Sequence, residues 1–307
     1  MESSKKKYLI IVVGPTAVGK TDLAIELALH FNTSIISADA RQFYKEMNMG
    51  TAKPSLSQLN QVNHYFINSL SITDIYNVGQ YEQDAIKTLN HLFELSFVVV
   101  AVGGSGLYIQ ALCEGMDEMP TISIETRNKI QTLYQEKDLY YLVSLLEKYD
   151  PIYYEEVDKQ NPQRIMRALE VYIETNLPFS SFRKKKNRSR DFEIIKIGLE
   201  MDREQLYNRI NQRVDQMVKE GLIEEATSLY SHRKLNALQT VGYKEVFDFL
   251  DGKFSKEKAI ELIKQNTRRY AKRQLTWFRT DDEIYWFKHT DQQKIIEFIK
   301  SKIKNAV

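Results

Sequence analysis

The stretch YLIIVVGPTAVGKTDLAIELALHF, residues 8–31, restricts this chain more than any other. It opens on six apolar, mostly β-branched residues, which favour a strand buried on both faces. Leu23, Ala24, Leu27, Ala28 and Phe31 then recur at the spacing of one helix face. Between the two, Gly14-Pro15-Thr16-Ala17-Val18-Gly19-Lys20-Thr21 satisfies the whole pattern G-x-x-x-x-G-K-[ST]. The glycines let backbone N–H groups turn toward a phosphate, and the following helix aims its positive end at the same place. Lys20 adds a charge, and Thr21 a hydroxyl suited to Mg2+. Residues 14–21 are therefore expected to cradle phosphate or diphosphate in an α/β fold with a parallel sheet.

Further strands are expected at SIIS (34–37), FVVVAV (97–102) and FEIIKIGLE (192–200). Beyond Pro120 the texture changes to amphipathic helical segments, IETRNKIQTLYQEKDLYYLVSLLEKYD and NPQRIMRALEVYIETN, with no strand between them. The organisation expected is a P-loop core, a parallel sheet flanked by helices, from residues 1–120 and 191–307, with an all-helical insertion domain at 121–190. The C-terminal third reads as helical throughout.

Composition excludes several classes. A net charge of +2 over 307 residues does not mark a nucleic-acid binder, but the run RKKKNRSR at 183–190 concentrates basic residues and leaves the remainder net negative. That run reads as an exposed loop closing the insertion, able to meet phosphates or merely solvated. The single cysteine, Cys113, rules out an internal disulfide framework or a cysteine-rich zinc site and fits a reducing compartment. The apolar run after Lys5-Lys6-Lys7 is too short for a signal peptide, and no segment is long enough to span a membrane, so a cytoplasmic chain with no membrane association is expected.

A phosphate cradle does not name a reaction. Asp39, in SADARQFY (37–44), falls just past the carboxyl end of a strand, where open parallel sheets bind their ligands, so it is a candidate general base. Asp also favours turns, so a capping role stays open. Arg41 and Gln42 can hydrogen bond a base or a phosphate. The strand at 97–102 ends in Gly103-Gly104-Ser105-Gly106, where a hydrolase would carry an acid; glycines there permit close approach, either as a channel wall or as a plain tight turn. Arg209 and Arg213, four apart on one helix, either reach a leaving group or face solvent. Arg268, Arg269, Lys272 and Arg273, with Tyr270 and Trp277 interleaved as stacking partners, make a candidate RNA face.

Eight segments in order, GPTAVGKTDLA, SADARQFY, HYFINSL, VGGSGLYIQAL, NPQRIMRALEVY, RINQRVDQMVKEGLIEEA, ALQTVGYKE and KRQLTWFR, resemble the tRNA dimethylallyltransferase (tRNA isopentenyltransferase) family over about residues 8–279. The resemblance implies transfer of a dimethylallyl group from dimethylallyl diphosphate to the exocyclic amine of the adenine beside the anticodon. It gives the diphosphate to Gly14, Pro15, Thr16, Ala17, Val18, Gly19, Lys20 and Thr21, with Thr21 on Mg2+, and proton removal to Asp39. It implies tRNA contacts at Asp39, Ala40, Arg41, Gln42, Ser105, Arg127, Gln163, Arg164, Arg167, Gln239, Lys244, Lys272, Arg273 and Trp277. Lys20, Thr21 and Thr16 join Asp39 as the catalytic set, Thr16 by its place in the loop. Ser105 and Ala40 stand where the family more often has Thr and Ser. The zinc finger of eukaryotic relatives is missing, as in the bacterial type. A monomer is expected. Rival readings are a small-molecule kinase using the same loop, a prenyltransferase acting on a free adenine nucleotide, and a non-enzymatic RNA-binding protein.

Overall fold

All six residues of β1 (Tyr8–Val13) are buried, because both of their faces are covered. In the computed structural model, which describes residues 6–184 and 189–304, there follow α1 (Lys20–Phe31), β2 (Ile35–Ser37), α2 (Leu56–Leu59), β3 (His64–Tyr65), α3 (Val78–Leu95), β4 (Val98–Val102) and α4 (Gly106–Glu114). Then come α5 (Ile124–Tyr149), α6 (Pro151–Glu156), α7 (Pro162–Thr175), β5 (Glu193–Glu200), α8 (Arg203–Lys219), α9 (Leu222–Ser228), α10 (Tyr243–Leu250), α11 (Lys256–Phe278), β6 (Ile284–Lys288) and α12 (Gln292–Lys304).

The chain divides into two compact units, Gly115–Arg188 and the remainder on either side of it. In the larger unit six strands form one sheet in the order β3-β2-β4-β1-β5-β6, with every pairing parallel. The period of two sorts the residues of β1: Tyr8, Ile10 and Val12 pack with Leu23 and Leu27 of α1, Ile210 of α8 and Ile299 of α12. Leu9, Ile11 and Val13 pack on the opposite face with Tyr81 and Leu89 of α3 and Leu112 of α4. At about 25 cal/mol per Å2 of apolar area removed from water, these two layers dominate the stability of the unit.

The parallel register then places the functional turns. Val102 pairs with Val12 on one side and with Ser37 on the other. Gly14, Ala38 and Gly103 therefore leave the sheet near one level, at its carboxyl edge.

β6 corrects the expectation that the C-terminal third is helical throughout. Residues 284–288 pair in parallel with Lys196–Glu200 of β5 at the sheet edge. The segment IYWFK is aromatic and β-branched, as strands prefer, but only Ile284 is buried and the rest are half-buried or exposed among charged neighbours.

The smaller unit is helical. Ile130, Leu142 and Leu146 of α5 pack on Ile165, Ala168 and Leu169 of α7. Asp138, at φ 71°, breaks α5 internally. Buried Asp150 caps α6 through the Tyr153 N–H and also accepts from the Ser180 N–H. Of the basic run, residues 185–188 lie outside the described residues. Arg183 pairs with Glu156, and Arg190 donates to Glu82 and to the carbonyls of Ala111 and Leu112, so both ends of the run have internal partners. Among the described residues no helix is long and apolar enough to cross a membrane.

Candidate active site

The phosphate loop is a backbone device. Gly19 sits at φ 108°, a left-handed conformation that costs glycine little and lets the loop turn into α1. The Lys20 ammonium donates to the Pro15 carbonyl at 2.7 Å, which folds it back over the loop. Burial, reinforced by the charge of Arg213 and opposed by Asp39, pushes the Lys20 amine down to about 7. Such a lysine is poised to take its proton when an anion arrives.

Asp39 follows β2. Its Oδ1 accepts the Arg41 N–H at 3.0 Å, so the turn role considered from sequence is real and fixes the carboxylate. Fixing it does not hide it: Asp39 lines a cavity of about 200 Å3 together with Thr16, Lys20, Thr21, Ser105, Arg213 and Tyr270. Ser105 Oγ accepts the Ala40 N–H at 3.0 Å, tying the glycine turn to the turn that carries Asp39. Gln42 bridges inward, its Nε2 donating to the carbonyls of Thr51 and Ala52.

The glycines after β4 are matched to α11. A Cβ on Gly103 would lie 2.2 Å from the Ala38 carbonyl oxygen, one on Gly104 2.2 Å from Gln274 Nε2, and one on Gly106 2.2 Å from Trp277 Nε1. Close approach is therefore their purpose, and the partner is largely a helix from the far end of the chain. Gln274, 5% exposed, clasps the site: its Oε1 accepts the Thr16 N–H at 2.8 Å and its Nε2 donates to the Gly104 carbonyl at 2.9 Å.

Beside the cavity lies a cationic pocket of about 280 Å3, lined by Lys20, Thr21, Lys53, Arg209 and Arg213 among others. Arg213 lines both spaces and donates to the Ala52 carbonyl at 3.3 Å. The two arginines left open by sequence thus face the phosphate loop, not bulk solvent alone. Lys53, which the sequence reading missed, is lowered to about 8 by burial and donates to the Tyr44 carbonyl and to Asn48 and Asn68.

The C-terminal basic helix divides differently from expectation. Ala271, Gln274 and Phe278 are buried, which turns Lys272, Arg273 and Trp277 outward, the indole 43% exposed. Arg268, half-buried, donates to Asn211 at 2.5 Å, and Tyr270 turns into the cavity. Burial and then the Asp39 charge raise the Tyr270 phenol to about 12. Gln239 and Lys244 are exposed, while the Thr240, Val241 and Gly242 between them line the cavity. Ala40 and Arg41 lie at the cavity as well. Arg127, Gln163, Arg164 and Arg167 belong to the helical unit; the first three are exposed, and Arg167 pairs with Glu170. Gly14, Pro15 and Val18 support the loop without lining either space, and Val18 is fully buried.

The arrangement has known counterparts. A family model described as IPP transferase matches residues 42–281. A tRNA dimethylallyltransferase of Christiangramia forsetii is 53% identical over 297 residues, covering 96% of this chain and 98% of that protein. One from Flavobacterium johnsoniae is 48% identical over 308 residues, covering 98% and 100%. Among solved structures, the full-length tRNA isopentenylpyrophosphate transferase of Bacillus halodurans superposes with a TM-score of 0.72 at 36% identity, over 98% of each chain. A eukaryotic dimethylallyltransferase acting on tRNA superposes with a TM-score of 0.81 at 26% identity, over 97% of this chain and 80% of that one.

Proposed function

The chain belongs to the tRNA dimethylallyltransferase family, and from that premise we infer that it transfers a dimethylallyl group from dimethylallyl diphosphate to the exocyclic N6 of the adenine beside the anticodon of tRNA, releasing diphosphate. One observation carries the reading at this site: Lys20, Thr21 and Arg213 line both the cationic pocket and the cavity that holds Asp39. A diphosphate in the first space therefore presents its ester carbon to the second.

In the transfer the adenine N6 forms a bond to the allylic carbon, the carbon–oxygen bond breaks with its electron pair going to diphosphate, and Asp39 accepts the amine proton. Charge grows on the leaving oxygens, beside which Lys20 and Arg213 line the pocket, so donors there would act most strongly in the transition state. Val214, Met217 and Ile263 give the cavity an apolar wall for the prenyl group and shield the developing cation from water. Thr21 would offer one hydroxyl to Mg2+, with Asp22 and Asp39 lining the adjoining spaces. That sparse oxygen set fits an ion bound chiefly by phosphate oxygens and water, which would supply further charge neutralisation.

The acceptor adenine must leave its stack, at a cost of a few kcal/mol. Tyr270, Thr240, Val241 and Gly242 line the cavity that would receive it. The exposed Lys272, Arg273 and Trp277 would hold the surrounding RNA, together with Arg127, Gln163, Arg164 and Arg167 of the helical unit. The protein acts as a cytoplasmic monomer in this reading.

Incubating the protein with dimethylallyl diphosphate and unmodified tRNA, then weighing the nuclease fragments, tests the whole proposal. The expected product is a single anticodon-loop adenosine heavier by one dimethylallyl group. Steady ATP turnover with no such product would establish a kinase instead, and equal reaction of free AMP would remove the tRNA from the reading.

A further inference from the structure

A loop of the G-x-x-x-x-G-K-[ST] type serves nucleoside triphosphates as readily as diphosphates, so the loop itself does not explain why a diphosphate ester is the substrate. The discrimination has to come from what surrounds it. Thr16 is the loop residue on the side of Asp39: it lines the cavity and not the cationic pocket. Its N–H is already bonded to Gln274 Oε1 at 2.8 Å. The other end of that carboxamide is held by the Gly104 carbonyl at 2.9 Å, and the turn there has room for it only because residue 104 lacks a side chain.

We propose that Gln274 sets the number of phosphoryl groups the loop accepts, admitting two and turning away a third. The inference rests on the reaction assigned above, in which the group attached to the second phosphoryl points toward Asp39. When that group is an allylic carbon it needs no hydrogen-bond donor. When it is a third phosphoryl it brings oxygens that need donors, and the Thr16 N–H on that side is bonded to Gln274. The carboxamide also lines the cavity that a third phosphoryl would have to enter, and the Asp39 carboxylate facing the same cavity repels the added charge. Gln274 is thus a specificity-determining residue, acting through the loop amide it holds.

The test compares binding of inorganic diphosphate and inorganic triphosphate to the full chain by calorimetry, in magnesium-free buffer so that metal affinity does not enter. Wild type is expected to favour diphosphate. Gln274→Ala is expected to bind triphosphate roughly fivefold to tenfold more tightly than wild type does, the worth of one recovered hydrogen bond and some space, while diphosphate changes less than about twofold. Gln274→Met, which fills the volume without bonding Thr16, should fall between. A damaged fold lowers both affinities together, so a selective gain is a readout that a purely structural role does not produce. If Gln274→Ala fails to melt cooperatively, Gln274→Asn, too short to span Thr16 and Gly104, carries the same expectation. Equal binding of the two anions by wild type, or triphosphate affinity unchanged or reduced in the variants, overturns the proposal. Prenyl transfer by wild type is scored separately: its absence would sink the assigned reaction, whereas the ratio of affinities decides the role of Gln274.

Discussion

Lys20 and Lys272 are the same side chain in opposite settings. Lys20 is half-buried at the sheet edge, bonded to a carbonyl of its own loop and brought down to about 7 by its surroundings. Lys272 is exposed on the outward side of α11, beside Arg273 and Trp277. At the first, geometry decides the effect of a charge, and a small displacement is felt. At the second, in the proposed reading, charges act as a sum on the RNA polyanion and are screened by salt. A single helix joins the two regions, since α11 also carries Gln274 and Tyr270 into the cavity.

The comparison breaks most visibly at Asp39. Asp39→Asn keeps an oxygen for the Arg41 N–H but removes the base, so turnover should fall by about 10^2- to 10^4-fold while diphosphate affinity stays within about twofold. Steady-state rates together with a direct binding measurement check this, and an unchanged rate would take Asp39 out of the mechanism.

The state of Lys20 gives the next largest effect. The free protein holds it near 7, and a bound diphosphate favours the charged form, so above pH 7 binding must take up a proton. In magnesium-free buffer diphosphate affinity should therefore decline with rising pH, by as much as about tenfold per pH unit, and Lys20→Met should lose that component. Calorimetry in buffers of different ionisation enthalpy counts the proton directly.

Two smaller effects sharpen the contrast. Gly106→Ala puts a methyl group into the Trp277 indole, an overpacking that should cost about 1–3 kcal/mol and lower the melting temperature by a few degrees. Lys272→Ala or Arg273→Ala should each weaken tRNA binding only a few-fold, more at low salt than at high, and reduce the salt slope by about one, with no change in diphosphate affinity. A loss of diphosphate affinity in either variant would erase the distinction between the two faces of α11.

The sequence made the phosphate loop legible because its requirements are local: glycines where the backbone must turn, a lysine and a hydroxyl at fixed offsets. Asp39 was legible for a related reason, since a strand end in a parallel sheet has a known relation to ligands. Gln274 was not, because its partners Thr16 and Gly104 lie 258 and 170 residues away, and only the folded register brings them together. That Tyr270 lines the cavity while Trp277 is exposed was not legible, because spacing gives the period of a helix and not which stripe faces inward. The glycines of residues 103–106 were recognised as allowing close approach, but what approaches them came from the other end of the chain. β6 was missed since five residues at a sheet edge, only one of them buried, carry too little pattern to outweigh the helices around them.

The clasp between Gln274 and the phosphate loop also has a consequence for biosynthesis. A ribosome finishes β1, β4 and β5 long before it reaches residue 274, so a nascent chain can assemble the central strands while the loop still lacks its final partner. The loop gains this partner only once α11 has emerged. A product interrupted before α11 would therefore carry the recognisable motif without the clasp that holds it.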